Sequence, residues 1–242
     1  MRNSQKPFLT AAWRDLVMLN WEVQEPLLAP YLPRGVEFDR LDSKLYVSIV
    51  AFRFLDTRVM GVPVPWHRDF EEVNLRFYVR RMVSGEVRRG VVFVREFVPR
   101  FWIAALARAL YNERYRAVSM KHEVVTTDRG ICAEYGWRTR GIDHLLRTSA
   151  EGSPSVVAPD SPHAFIAEHY WGYSRLRDGS TMEYRVEHPS WRMWSRCDVE
   201  ISADVWRSYG SEWRGVFERV PDFSFIAEGS PVAVFHGARI DG

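Results

Sequence analysis

Polar and apolar positions alternate along much of the chain with a period of two, as in strands whose two faces meet different surroundings. The clearest run places Glu72, Asn74, Arg76, Tyr78 and Arg80 on one face, against Val73, Leu75, Phe77 and Val79 on the other. Ser84-Gly85 supplies a turn, and residues 89–98 return as a strand that Pro99 ends. Residues 44–55, KLYVSIVAFRFL, are β-branched and aromatic enough to predict a largely buried strand. Further strands are expected around Leu16–Val23, near 117–126 and 131–140 on either side of the turn 127–130, over Thr181–Val186, and near 197–202 and 231–236. Residues 147–162 read as loop.

Helical signals are few. Pro26 to Pro33 makes a short helical turn stopped by Pro33 and Gly35. Phe101–Tyr111 is apolar on all sides except Arg108, which predicts a buried helix too short to span a membrane. Ser161-Pro162 is an N-cap followed by proline at the first helical position, starting a short helix through Phe165 to Glu168. The stretch 91–123, with the apolar helix at its centre, is where the remaining β-structure would wrap. The class is mainly β (α+β), and with no internal repeat or linker the expectation is one domain over 1–242.

Composition narrows the function classes. Nearly half the residues are apolar, enough for a substantial core. The formal charge of +2, with 31 acidic residues spread throughout, argues against a nucleic-acid footprint. Of the 33 basic residues only Lys6, Lys44 and Lys121 are lysine, so amine chemistry has three candidates. Cys132 and Cys197 form no CxxC pair and suggest reduced thiols. The N-terminus carries charges through its apolar part, unlike a signal peptide, and no apolar run reaches bilayer length. A cytoplasmic protein with no membrane or nucleic-acid partner is expected, and homo-oligomer formation is left open.

The familiar nucleotide, nucleophile-elbow, zincin and EF-hand motifs are absent, and the seven histidines are scattered, so neither metal nor cofactor is expected. Three groups could build a site. Glu72, Asn74 and Arg76 would bind a ligand if the sheet closes and turns that face inward. On alternation alone, the simpler account is the solvated face of an antiparallel strand. The turn Tyr111-Asn-Glu-Arg-Tyr-Arg116 pairs guanidiniums with phenols, as anion recognition needs, although solvated arginines on a surface turn explain it too. Glu168-His-Tyr-Trp-Gly-Tyr173 with His188-Pro-Ser-Trp191 could line a pocket or simply fill a core.

Phe70-Glu-Glu-Val-Asn-Leu-Arg, the apolar helix, the Tyr/Arg turn, Glu168-His-Tyr-Trp-Gly-Tyr and Glu183-Tyr-Arg-Val-Glu-His-Pro-Ser-Trp together resemble the DUF2071 (YqjF-like) family over most of the chain. That family is similar to acetoacetate decarboxylase. The resemblance implies an acetoacetate-decarboxylase-like, closed or nearly closed β-barrel core around a cavity, with few helices. Decarboxylases of this kind form a Schiff base through a lysine in a Gly-x-Pro-Lys-Lys turn, where a neighbouring ammonium keeps the amine neutral. On this chain the turn falls on 112–116, with Tyr115 at the nucleophile and Arg116 at its cationic neighbour. Phe70-Glu71-Glu72 takes the place of a Tyr-x-Glu strand, making Glu72 the pocket carboxylate. Tyrosine and arginine cannot form an imine with a ketone. Lys121 comes five or six residues too late, sharing a strand face with Ser119 and Glu123 that is expected to meet water.

The expectation is therefore a small-molecule pocket for a compact organic acid or carbonyl compound. Glu72 and Tyr115 would be the catalytic candidates, and Asn74, Arg76, Tyr111 and Arg116 the substrate-binding ones. A non-catalytic ligand sensor using the same cavity is the alternative, and a Lys121-dependent decarboxylase the remote one.

Overall fold

The structure is a computed structural model that describes residues 6–63, 68–99 and 115–240. The apolar helix expected at Phe101–Tyr111, Tyr111 itself and residues 112–114 lie outside the described residues.

One twelve-stranded sheet dominates. Its long members are β1 (Leu9–Val23), β3 (Leu45–Val59), β5 (Phe70–Val83), β6 (Glu86–Val98), β11 (Trp171–Arg175), β12 (Thr181–Glu187) and β15 (Phe223–Val234). They are hydrogen-bonded in the order β15-β1-β3-β5-β6-β11-β12. Pairing of Val186 with Val234 and of Glu187 with Ala233 returns β12 to β15, so these seven strands close a ring. Short strands decorate it: β2 (Glu37–Phe38), β4 (Val62–Pro63), β7 (Tyr115–Ala117), β13 (Met193–Trp194) and β16 (Ala238–Ile240). A separate four-stranded sheet runs β14-β10-β9-β8, from Asp198–Ile201 (β14), Ile142–Glu151 (β10), Gly130–Thr139 (β9) and Ser119–Thr127 (β8). The expectation of a closed, mainly β core is met by this ring.

Alternation assigns the two faces of the ring. Val17, Leu19 and Trp21 of β1, Val47 and Ile49 of β3, and Val73, Leu75 and Phe77 of β5 point outward. There they share one apolar cluster with Tyr135 and Trp137 of β9, Leu146 of β10, and Trp213 and Phe217. Each large side chain removed from water in this layer is worth about 1.5–3 kcal/mol. The opposite face, including Met18, Val50, Phe52, Phe70 and Tyr78, packs inside the ring around a second cluster. The polar row of β5 therefore faces the interior of the ring, and its apolar row supports the second sheet.

Several boundaries differ from the sequence expectation for identifiable reasons. β1 begins at Leu9 rather than near Leu16 because Asp15 adopts φ 54° at a register shift against β3, which throws its two halves out of phase. Residues 147–151 are strand, not loop: β10 buries His144, Leu146, Thr148 and Ala150 in alternation, and two of those inward residues are polar. β15 starts at Phe223 and keeps one register against β1 past Gly229, which has φ 79° and where a Cβ would lie 2.1 Å from the Trp13 carbonyl oxygen. The hairpin turn Ser84-Gly85 is as expected, both residues having positive φ.

The described helices are short: α1 (Glu25–Leu28), α2 (Pro162–Ala167) and α3 (Arg214–Phe217). The Ser161 hydroxyl caps α2 by accepting from the Ala164 amide at 3.1 Å. Among the described residues no helix is long and apolar enough to cross a membrane.

Candidate functional site

The interior of the ring holds a cavity of about 150 Å³, a volume in which one compact organic molecule fits. Aromatic side chains form much of its wall, among them Trp13, Phe52, Phe54, Phe70 and Trp191. Glu72, Asn74 and Arg76 enter it side by side from β5, as the period of two dictates, and Tyr115 enters from β7.

Glu72 is the centre of this group. Its carboxyl is buried at 3% exposure and held by two donors: Asn74 Nδ2 to Oε1 at 2.9 Å and the Tyr115 hydroxyl to Oε2 at 3.2 Å. Burial pushes its pKa up to about 7, although both hydrogen bonds and the nearby Arg76 guanidinium oppose that rise. A carboxyl titrating there can both take and give a proton near neutral pH. Arg76 donates Nη2 to the Met18 sulfur at 3.6 Å and lies 5.7 Å from the Tyr78 ring centre. Its buried Nε has no hydrogen-bond partner among the described residues, and neither does Asn74 Oδ1.

On the opposite wall stand His169, Trp171, Gly172, Tyr184 and His188. His188 stacks on Trp191 with ring centres 4.1 Å apart. His169 Nε2 meets Asp39 Oδ2 at 3.2 Å, and Arg89 Nε meets the same oxygen at 2.6 Å. Burial alone would raise the Asp39 carboxyl, but the hydrogen bonds from His169 and Arg89 outweigh it and hold it below its usual value. The His169 imidazole is pushed down to about 4 by burial, with Arg89 and Arg76 adding to the effect against Asp39. Ser48 Oγ lies 2.6 Å from both Asn20 Oδ1 and the Tyr78 hydroxyl, a buried polar chain joining β1, β3 and β5.

The structure thus brings Glu72, Asn74, Arg76 and Tyr115 together. Arg116 is placed elsewhere: it follows Tyr115 on β7, so its side chain takes the other side of the strand, is exposed, and does not line the cavity. Tyr111 lies outside the described residues. Lys121 is exposed on β8, its stem packed against Gly136 of β9, as the alternation there predicts. All three lysines of the chain are exposed and none lines the cavity. Among the described residues no cluster of three or more His, Cys, Asp or Glu is arranged to hold a metal ion.

The aromatic groups 168–173 and 188–191 supply real wall residues. Asp39, Arg89 and Trp13 had no signal in the sequence, because the first two act on the site only through His169 and Trp13 sits before the bulge of β1.

Solved structures of similar fold define the class. The acetoacetate decarboxylase of Legionella pneumophila superimposes with a TM-score of 0.66 over 98% of this chain and 88% of its own, at 12% identity. The enduracididine biosynthesis enzyme MppR, in complex with the condensation product of pyruvate and imidazole 4-carboxaldehyde, gives 0.67 over 97% and 89% at 11% identity. An acetoacetate decarboxylase-like enzyme from Sphingomonas wittichii RW1 gives 0.64 over 98% and 94% at 14% identity. The fold is that of acetoacetate decarboxylase. Within it, residues 10–230 match the model of DUF2071, an uncharacterized conserved protein family, and the chain belongs to that family. Uncharacterized protein YqjF of Bacillus subtilis (strain 168) is 24% identical over 197 residues, covering 80% of this chain and 77% of its own length.

Proposed function

We propose that this protein is an enzyme acting on a compact organic acid or carbonyl compound inside the ring, without Schiff-base chemistry. Arg76 holds the anionic end of the substrate, Glu72 exchanges the proton, and Tyr115 donates a hydrogen bond or proton to developing negative charge. Asn74 fixes the Glu72 carboxyl. The observation that carries this reading is the buried Glu72 carboxyl, pushed up to about 7 in a cavity it shares with a guanidinium and a phenol. Perturbed titratable groups in a concave apolar pocket are a physical mark of functional sites. The distance of every lysine from that cavity supports the exclusion of an imine mechanism, and the exposure of Arg116 removes it from the anion-holding role.

A ligand sensor would use the same cavity without turnover. The Glu72–Tyr115 pair within hydrogen-bond reach favours the enzyme reading, because a sensor needs no titratable pair.

The test combines borohydride trapping with a panel of small keto acids, intact mass, and thermal stability of the protein with each acid. No adduct is expected, with stabilisation by at least one acid that Arg76→Met abolishes. A covalent adduct on Lys121, or no stabilisation by any acid, would overturn the proposal.

A further inference from the structure

The polar atoms around the cavity that remain unpaired among the described residues form a set of both donors and acceptors. Arg76 Nε and Trp13 Nε1 are donors, Asn74 Oδ1 and His169 Nδ1 are acceptors, and all four belong to residues that line the cavity. The state of His169 follows from its surroundings. Asp39 Oδ2 also receives the Arg89 Nε–H, so it is an acceptor, and His169 Nε2 must carry the hydrogen in the 3.2 Å contact between them. The ring is neutral, since burial against Phe165 and Tyr78 opposes a second proton. Nδ1 is then a bare lone pair, fully buried and without a partner.

A simple carboxylate satisfies only the donors of this set. It offers acceptors to Arg76 and Trp13 and leaves His169 Nδ1 and Asn74 Oδ1 as unpaired as they are in the free protein, so a ligand that also donates to one of them gains about tenfold over one that does not. An ammonium would pair with them, but both Arg76 and Arg89 already act electrostatically on His169, and the aromatic wall adds a desolvation penalty for a further cation.

We propose that His169 determines specificity in this cavity by accepting, at Nδ1, a hydrogen bond from a hydroxyl of the bound acid, so that the ligand class is hydroxy acids. Asp39 and Arg89 are positioning residues that fix the tautomer. This deepens the reading above and rests on Arg76 holding an acid in the ring.

The test uses the full chain and two matched series: propionate, lactate and alanine, and phenylacetate, mandelate and phenylglycine. Affinities are measured by calorimetry, and the imidazole nitrogens are followed by ¹⁵N NMR. In each productive series the hydroxy acid binds about tenfold tighter than the deoxy acid, and only the hydroxy acid moves the His169 Nδ1 signal. His169→Phe removes that tenfold difference between the hydroxy and the deoxy acid, with Asp39 still paired to Arg89. His169→Asn, which keeps a polar group near the Nδ1 position, restores part of the difference. Equal affinities in the unaltered protein with an unmoved Nδ1 signal would overturn the role of His169 and leave the acid pocket standing. Tighter binding of the amino acids would overturn the hydroxyl assignment. Binding of no acid at all would overturn both readings. The NMR measurement needs no variant, so the inference stays testable even where a substitution fails to fold.

Discussion

Tyr115 donates its phenolic hydrogen to Glu72 Oε2 across 3.2 Å, joining β7 to β5 inside the ring across 43 residues of chain. This bond favours the ionised carboxylate, so it works against the burial that raises the Glu72 pKa. Tyr115→Phe removes the donor while keeping the ring. The Glu72 titration should move up by about one unit, the scale of a hydrogen bond to a charged group. An unmoved midpoint in a folded variant would show that the two side chains do not meet in solution.

Glu72 also links stability to pH. Its folded-state pKa is raised from the ordinary 4.5 to about 7, so the neutral carboxyl is the form the fold prefers. Its contribution is fully present below about pH 4.5 and is lost as the pH rises through about 7. The gap corresponds to on the order of 3 kcal/mol. Glu72→Gln lacks this slope. Urea denaturation at a series of pH values should find the stability difference shifting toward the variant across that window. A difference that stays constant with pH would contradict a buried, raised Glu72.

Gly172 of β11 sits opposite Tyr184 of β12 in the cavity wall, and a Cβ there would come within 2.0 Å of the tyrosine ring. Gly172→Ala should push the Tyr184 ring toward the cavity, costing about 1–3 kcal/mol of stability and weakening whatever acid stabilises the parent protein. Thermal denaturation with and without that acid checks both effects. Full stability with unchanged binding would mean that the ring lies elsewhere.

The sequence was most informative where one strand carries one pattern. The row Glu72, Asn74, Arg76 and its apolar counterpart were legible from alternation, but which row faces inward was not. A period of two looks the same from either side, and apolar residues usually mark the inner face. Here the second sheet covers the apolar row, and the ring closes through the pairing of β12 with β15. Such long-range closure leaves no local trace. Arg116 was assigned to the cavity by its place beside Tyr115 in a turn. The turn position is strand β7, where consecutive side chains diverge. β10 was hidden because His144 and Thr148 occupy inward positions that an apolar pattern would have marked, and only in the folded chain does His144 Nε2 meet the Thr139 hydroxyl at 2.8 Å. The Asp39–His169–Arg89 group was illegible for a different reason: its members come from three distant segments and meet only in the folded chain.

The central claim is that Glu72 is a buried, near-neutral acid–base group sharing its cavity with an anion held by Arg76. Titration of the Glu72 side-chain carboxyl by ¹³C NMR, with and without a stabilising acid, tests it most directly. The midpoint should lie at about 7 in the free protein. It should rise further when the acid binds, because a bound anion offsets the Arg76 guanidinium that now favours ionisation. A midpoint at the ordinary 4.5, indifferent to the acid, would contradict the account.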